Sequence, residues 1–222
     1  MFRNLVWISV LAALVACNPT RVVKPLEKGE KRVSAAFGGS GIIFSGAPIP
    51  LPLTSVNYSH GLDSGLTLST GLHTTALMFS NLQTDISLGI KMVEAKSKRY
   101  GLTANPGLNL MYSLRGGEFR AYPQVEGIGW WQYGEKSHLF YGGVGTWVEL
   151  MREKAHGEVQ DHELMPYVTL GHQFAGEKWI WQVEAKYLGF TYSNDNVVVD
   201  YMGPFNTGTT GVYVGLSRRL TK

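Results

Sequence analysis

Apolar and polar side chains alternate with a period of two from residue 33 onward, and this pattern limits what the chain can fold into. The clearest run sets one apolar face against one polar face: Leu82, Thr84, Ile86, Leu88, Ile90 and Met92 against Gln83, Asp85, Ser87, Gly89 and Lys91. Successive side chains of a β-strand point to opposite faces of a sheet, so each such segment has two unlike surfaces. Helical periodicity is almost absent. The sequence therefore predicts an all-β protein.

The alternating segments predict about ten strands, within a range of 8–12. They lie at 33–43, 53–60, 64–75, 81–93, 104–115, 118–132, 138–151, 163–174, 178–191 and 209–220. Short turns of similar composition occur at 58–66, 133–139 and 174–179, and longer loops at 44–52, 152–162 and 192–208. In an up-and-down arrangement the short turns share one end and the long loops the other. Closure removes exposed sheet edges, so we predict a closed antiparallel up-and-down β-barrel over residues 33–222.

Residues 1–16 form a separate unit. Residues 5–13 are apolar and follow Arg3, which is typical of a secretory signal peptide. This run is too short to cross a bilayer as a helix, which takes about 20 apolar residues. The end of the signal, Leu14-Val15-Ala16-Cys17, resembles a bacterial lipobox, and Cys17 is the only cysteine in the chain. The resemblance implies cleavage after residue 16, attachment of acyl chains such as palmitate to Cys17, and a lipidated tether over residues 17–32.

The composition fits a membrane barrel and argues against a nucleic-acid partner. Charged residues make up 17% of the chain, against roughly 25% in a typical soluble domain. Loss of residues 1–16 removes one charged residue, Arg3, so the net charge falls from +3 to +2. Nucleic-acid binding usually needs a concentrated basic face, which such a chain does not supply. With a single cysteine no intramolecular disulfide can form.

Alternation alone does not say which face lies inside the barrel. A transmembrane barrel turns its apolar face to lipid, whereas a lipocalin-like barrel encloses that face. The polar face carries few charges for a soluble exterior, which favours the membrane. Aromatic residues also gather beside the short turns, where a girdle at the membrane interface would lie. The predicted girdle consists of Trp130, Trp131, Tyr133, Trp179 and Trp181.

In a transmembrane barrel the polar face lines the lumen. The predicted polar network of the lumen consists of Asp85, Lys91, Arg115, Arg120, Glu126, Glu184 and Lys186, with Glu149 and Arg219 as further members. Unpaired buried charge is costly, so we expect these acids and bases to pair and to fill a small lumen. A narrow pore stays open as an alternative if the charges line opposite walls.

The histidines offer candidate chemistry without a recognisable motif. His156 and His162 share a predicted loop with several acids, but their spacing fits no established metal site. His73 lies near Ser69 and could join a Ser-His-acid set, although no serine lies in a nucleophile motif. We therefore name no catalytic residue, metal ligand or cofactor. Whether the chain is an enzyme stays open, and a non-enzymatic role is favoured.

Three features together resemble outer-membrane β-barrel proteins of Gram-negative bacteria. They are the segment Tyr58-Ser59-His60-Gly61-Leu62, the strand alternation, and the closing segment from Gly211 to Leu220. The chain ends in Leu220-Thr221-Lys222, whereas many such barrels end in an aromatic residue. With the lipobox, the pattern resembles barrel lipoproteins of the Bacteroidota type, and that resemblance implies no activity. It does imply a cell outer membrane location, with a lipid anchor and a periplasmic N-terminus.

The expected function is structural, binding or interactive, and is carried by the outer loops. Outer-membrane lipid surrounds such a barrel, and a protein or a small apolar ligand is the candidate partner. One alternative is a lipocalin-like periplasmic lipoprotein that binds an apolar ligand between Leu82, Ile86, Leu88 and Ile90. A second is a barrel enzyme that acts on lipid or peptide, and a third is the narrow pore.

Overall fold

The structure is a computed structural model that describes residues 18–151, 163–194 and 200–220. Eleven strands, one short helix and one 3-10 turn make up its regular elements within these ranges. The strands are β1 (Lys31–Phe44), β2 (Ala47–Pro50), β3 (Thr54–Asp63), β4 (Leu66–His73), β5 (Asn81–Glu94), β6 (Tyr100–Ser113), β7 (Phe119–Tyr133), β8 (His138–Val148), β9 (Leu164–Ala175), β10 (Trp179–Ser193) and β11 (Thr207–Arg219). Helix α1 covers Thr74–Met78, and the 3-10 turn covers Pro204–Asn206.

Ten of these strands form a closed antiparallel barrel, as the sequence predicts. Neighbours in the wall follow chain order from β1 and β3 through to β11, and β11 pairs with β1 to close the ring. The closing register runs from Arg32 opposite Arg219 to Ser40 opposite Gly211. Strand β2 is the exception. It lies in a segment predicted as loop and pairs only with the end of β1, beyond the closed wall.

The two ends of the barrel differ in their connections. The lower end, as we call it, holds the start of β1, the end of β11 and the short connections at 64–65, 95–99, 134–137 and 176–178. The upper end holds the β2 hairpin, helix α1, the turn after β6, and the long connections that follow β8 and β10. This is the predicted division into a short-turn end and a long-loop end.

The barrel encloses its polar face and exposes its apolar one. On β5, Asp85 is 3% exposed and points inward, while the adjacent Ile86 is 46% exposed on the outer surface. Leu82 and Leu88 lie outside with Ile86, so these three do not line a cavity as the lipocalin-like alternative requires. The lipocalin-like alternative is therefore wrong about which face is enclosed, because most of the enclosed side chains are Ser, Thr, Asn, Gln or charged, with aromatic residues such as Trp130 and Tyr141 among them. Within the described ranges, no helix has the length and apolarity to cross a membrane.

Two bands of aromatic side chains border the apolar outer surface. On β6 and β7, Tyr100 pairs with Trp131 near the lower end and Tyr112 pairs with Phe119 near the upper end. The bands are twelve residues apart on each strand, about 40 Å along the strand. At a tilt of about 40° this separation is about 30 Å along the barrel axis, close to the roughly 25 Å apolar band of outer-membrane barrels.

Trp130 does not belong to the lower aromatic band. Trp131 is 56% exposed on the outer surface, whereas Trp130 is 3% exposed and points into the lumen. Neighbouring residues of one strand must face opposite ways, so two consecutive tryptophans cannot share a girdle. The other predicted members, Tyr133, Trp179 and Trp181, are exposed near the lower end.

Candidate functional site

The lumen is occupied by the chain's own N-terminal segment. Residues 18–30, which we call the plug, fold back from the lower end of β1 into the barrel. Within the plug Thr20, Val22, Val23 and Leu26 are buried. The sequence predicts a lipidated tether over residues 17–32, and the part of it that the structure describes, residues 18–30, lies in the lumen, where its polar groups pair with those of the wall. Cys17 and the signal peptide lie outside the described residues.

The lower part of the plug is bound near the short turns. The backbone N–H of Leu26 donates to Thr67 Oγ1 at 2.8 Å. Lys24 donates to Gln132 Oε1 at 2.9 Å and pairs with Glu94 at 3.3 Å. Its ammonium also lies 4.6 Å from the ring centre of Trp130. This lysine therefore bridges β5 and β7 across the lower mouth of the lumen.

In the middle of the lumen, Thr20 is held by side chains of β7 and β10. Its backbone N–H donates to both carboxylate oxygens of Glu184, at 3.0 and 3.1 Å. Its hydroxyl donates to Glu126 Oε1 at 3.0 Å, and its carbonyl accepts from Gln182 Nε2 at 3.2 Å. Lys186 lies between the two acids, 3.4 Å from Glu126 and 3.3 Å from Glu184. The polar groups of one plug residue are thus paired with the barrel wall.

Beside Thr20, the plug is also held to the wall by an ion pair. Arg21 donates twice to Asp85, from Nη2 at 2.5 Å and from Nε at 3.2 Å. The same carboxylate lies 2.9 Å from His73 Nε2. Asn18 Nδ2 lies 2.7 Å from that ring nitrogen, and Asn18 Oδ1 accepts from Ser55 Oγ at 2.7 Å. Asn18 therefore lies in the upper half of the lumen, level with the upper ends of β3 and β4.

Two valines pack the plug against the wall. Val23 belongs to a buried cluster on β7 and β8 with Ile128, Trp130, Leu139 and Tyr141. Val22 lies directly over Gly89, where an added Cβ would collide with the valine side chain. The glycine therefore permits the close approach of plug and β5.

Two pockets flank the plug inside the barrel. The larger encloses about 490 Å³ of space, part of it open to solvent, and the smaller about 380 Å³. Pro19, Thr20 and Arg21 line both pockets. The plug thus divides the lumen.

The predicted lumen residues fall into two groups. Asp85, Glu126, Glu184 and Lys186 are buried and contact the plug or each other, as described above. The other three do not reach this layer: Lys91 pairs with Glu94 at the lower rim, Arg120 is half-buried near the upper end of β7, and Arg115 is exposed in the turn after β6. For Arg115 the physical reason is that β6 ends at Ser113, two residues before the predicted end.

Sequence reasoning did not find Thr20, Arg21, Gln182 or Tyr141 as members of the site. Tyr141 donates to Glu184 at 2.6 Å and accepts from Gln182 at 2.8 Å. The sequence does contain one indication of the plug. Val22, Val23 and Leu26 are apolar, and such residues are not typical of a solvated linker.

The histidine chemistry considered above is not assembled among the described residues. His73 contacts Asp85, Asn18 and Asn109, while Ser69 bonds instead to Ser59 at 2.6 Å. His156 and His162 lie outside the described residues. Within those ranges no three His, Cys, Asp or Glu side chains form a metal-binding group.

Comparisons with known proteins return solved structures only. No family model matches the sequence, and no curated protein matches it. The barrel is similar to the translocator domain of the autotransporter NalP from Neisseria meningitidis, with 11% identity, coverage of 99% of this chain and 95% of that chain, and a TM-score of 0.48. It is also similar to an outer membrane channel from Pseudomonas putida F1, with 9% identity, coverage of 91% and 100%, and a TM-score of 0.44.

Proposed function

We propose that this chain is a lipid-anchored outer-membrane β-barrel with a structural or binding role at its upper loops, and that its N-terminal plug closes the lumen as long as residues 18–30 lie inside it. The observation that carries the proposal is the pairing of an apolar, aromatic-bordered outer surface with a polar lumen that is already filled. A closed barrel satisfies all its backbone hydrogen bonds within the wall, which lets strands cross a bilayer. A filled lumen argues against an open pore in this state.

The upper end supports the binding role. Phe205 is 96% exposed in the loop before β11, with a left-handed backbone φ of 57°. Phe44 and Met78 are also exposed, in the β2 hairpin and helix α1. These three side chains are the proposed contacts for a protein or an apolar ligand.

The proposed orientation puts the lower end in the periplasm. Outer-membrane barrels have short periplasmic turns and longer outer loops, and the wall begins and ends at the short-turn end. Cys17 is the proposed site of acylation. Replacement of Cys17 by serine is expected to abolish incorporation of labelled palmitate, and labelling that persists would contradict the anchor.

Membrane insertion is tested with two neighbouring residues of β5. In a Cys17→Ser background, Leu88→Cys and Ser87→Cys are spin-labelled separately in lipid vesicles. The label at 88 should be relaxed by lipid-soluble oxygen, and the label at 87 should be protected from it, because the two side chains face opposite ways. A label at 88 that instead responds to a water-soluble relaxant overturns the membrane proposal.

A further inference from the structure

We propose that the barrel wall encloses a pathway for small cations, which the plug blocks and in which Arg21 neutralises one of three acidic side chains. This inference rests on the proposed function in one respect, namely that the barrel spans a membrane. It adds an ion-permeation activity and assigns the selective layer to three acidic residues in the middle of the lumen.

The wall around the plug is mainly polar, apart from the apolar and aromatic cluster that packs on Val23. The groups that bind the plug include hydroxyls, amides and carboxylates, such as Thr103, which donates to the Val23 carbonyl at 2.9 Å, and Asn105, which donates to the Val22 carbonyl at 2.9 Å. Water can replace hydrogen bonds of this kind. A lumen that had lost its plug would therefore fill with water and would not collapse as an apolar core.

Arg21 of the plug lowers the excess of acids over bases in the middle layer from two to one. The buried wall residues there are three acids, Asp85, Glu126 and Glu184, and one base, Lys186. Lys186 pairs with both glutamates, so Asp85 depends on Arg21 for a cationic partner, beside the His73 ring. Without the plug, three carboxylates face one ammonium group. Rings of Asp and Glu are the arrangement that selects cations in membrane pores.

The lower mouth has the opposite balance but lies at the rim. Lys91, Arg32 and Arg219 are basic there, with Glu94 as an acidic wall neighbour. The side chains of Lys91 and Arg219 are 34% and 30% exposed and that of Arg32 is 17% exposed, whereas the three acids are at most 7% exposed, so salt screens the mouth more strongly than the buried layer. Selectivity is therefore set at the buried acids.

The width of the lumen is sufficient for an ion. Eight strands give an interior that side chains just fill, and this wall has ten. The plug occupies the additional space as a single irregular chain. Its departure would leave an opening with about the cross-section of a polypeptide, roughly 5 by 10 Å.

The test uses the full chain in planar bilayers under a KCl gradient. Arg21→Ala leaves Asp85 without its partner and should raise the open probability by about 100-fold. Thr20→Pro removes the backbone N–H that donates to Glu184, and it should also raise the open probability. The matched control is Lys28→Ala, which removes the same charge from an exposed plug residue and should leave the barrel closed.

The open state of Arg21→Ala should pass K⁺ in preference to Cl⁻, and adding Asp85→Asn should lower that preference. Each sample is also labelled at residue 88. If the label is in lipid and both plug variants stay closed, or if the open state prefers Cl⁻, the cation pathway is overturned and the proposed function stands. If the label is not in lipid, the proposed function itself fails and this inference fails with it.

Discussion

Asp85 is the residue at which the wall, a histidine and the plug meet. Its inward position follows from the alternation on β5 and could be predicted from the sequence. Its partner Arg21 could not, because the two residues are 64 positions apart and the plug has no periodicity that would place it. The alternation therefore predicts the direction in which a side chain points, but it does not predict which residue that side chain contacts.

The Arg21–Asp85 pair should be strongly coupled. Asp85→Asn leaves a mostly buried guanidinium without its counter-charge and should lower the free energy of unfolding by about 3 kcal/mol. The double variant Arg21→Met with Asp85→Leu removes both charges and should lie within about 1 kcal/mol of the parent chain. Urea unfolding of the protein in lipid measures both. Equal stability of Asp85→Asn and the parent chain would contradict the pairing.

Gly89 should be sensitive to any added side chain. Gly89→Val places carbon atoms where Val22 lies, so the plug should move out of register. The readout is labelling of Thr20→Cys by a water-soluble maleimide in a Cys17→Ser background, which should become faster. Gly127→Val is the matched control, because the space around Gly127 is open. Unchanged labelling in Gly89→Val would show that the plug does not lie against β5.

At the scale of the element, the strands of the wall were predictable and their ends were less so. β6 ends at Ser113, so Arg115 lies in the following turn and not in the lumen. On β7, Trp130 points into the lumen and Trp131 points outward. β2 could not be predicted because Pro48 and Pro50 lower the strand propensity of its four residues. It pairs with β1 as a hairpin outside the wall, where a missing N–H costs little.

The two tryptophans of β7 should differ in their contact with lipid. Brominated lipid quenches tryptophans in contact with acyl chains, so Trp131→Phe should reduce the quenchable fluorescence and Trp130→Phe should not. Trp130→Ala should also destabilise the barrel by about 3–5 kcal/mol, since the ring packs on Val23 and its N–H bonds to Thr103. If Trp130→Phe and Trp131→Phe lost the same amount of quenchable fluorescence, the two tryptophans would not point to opposite faces of β7.

At the scale of the whole molecule, the barrel was predictable and its contents were not. The period-two pattern specifies strands, turns and faces because these depend on neighbouring residues. The plug depends on distant partners, such as Thr67 for Leu26, 41 positions away, and Glu184 for Thr20, 164 positions away. A polar segment before a barrel is compatible with a tether and with a plug, and the two are distinguished only once the residues that line the lumen are known.

A disulfide should join plug and wall in the intact molecule. In a Cys17→Ser background, Val22→Cys with Gly89→Cys places the two Cβ atoms 2.7 Å apart, so a disulfide, which sets them about 3.8 Å apart, should form once the plug has shifted by about 1 Å. The bond should raise the free energy of unfolding by up to about 4 kcal/mol, and reduction should remove the gain. Val22→Cys with Gly127→Cys should stay reduced, because the residues that flank Gly127, Glu126 and Ile128, point inward and Gly127 does not. Failure of the first pair to oxidise would contradict the position of the plug.

The direction in which the plug runs links the occupancy of the lumen to the leaflet of the anchor. The chain enters at the lower end and Asn18, the residue next to Cys17, lies beside His73 in the upper half. Acyl chains held in the lower leaflet would have to draw residues 18–30 out of the barrel, whereas an anchor reached through the upper mouth would leave them seated. Residues 18–30 can therefore either tether the barrel to its lipid anchor or close the lumen, and lipidation of Cys17 would shift the equilibrium between these two positions.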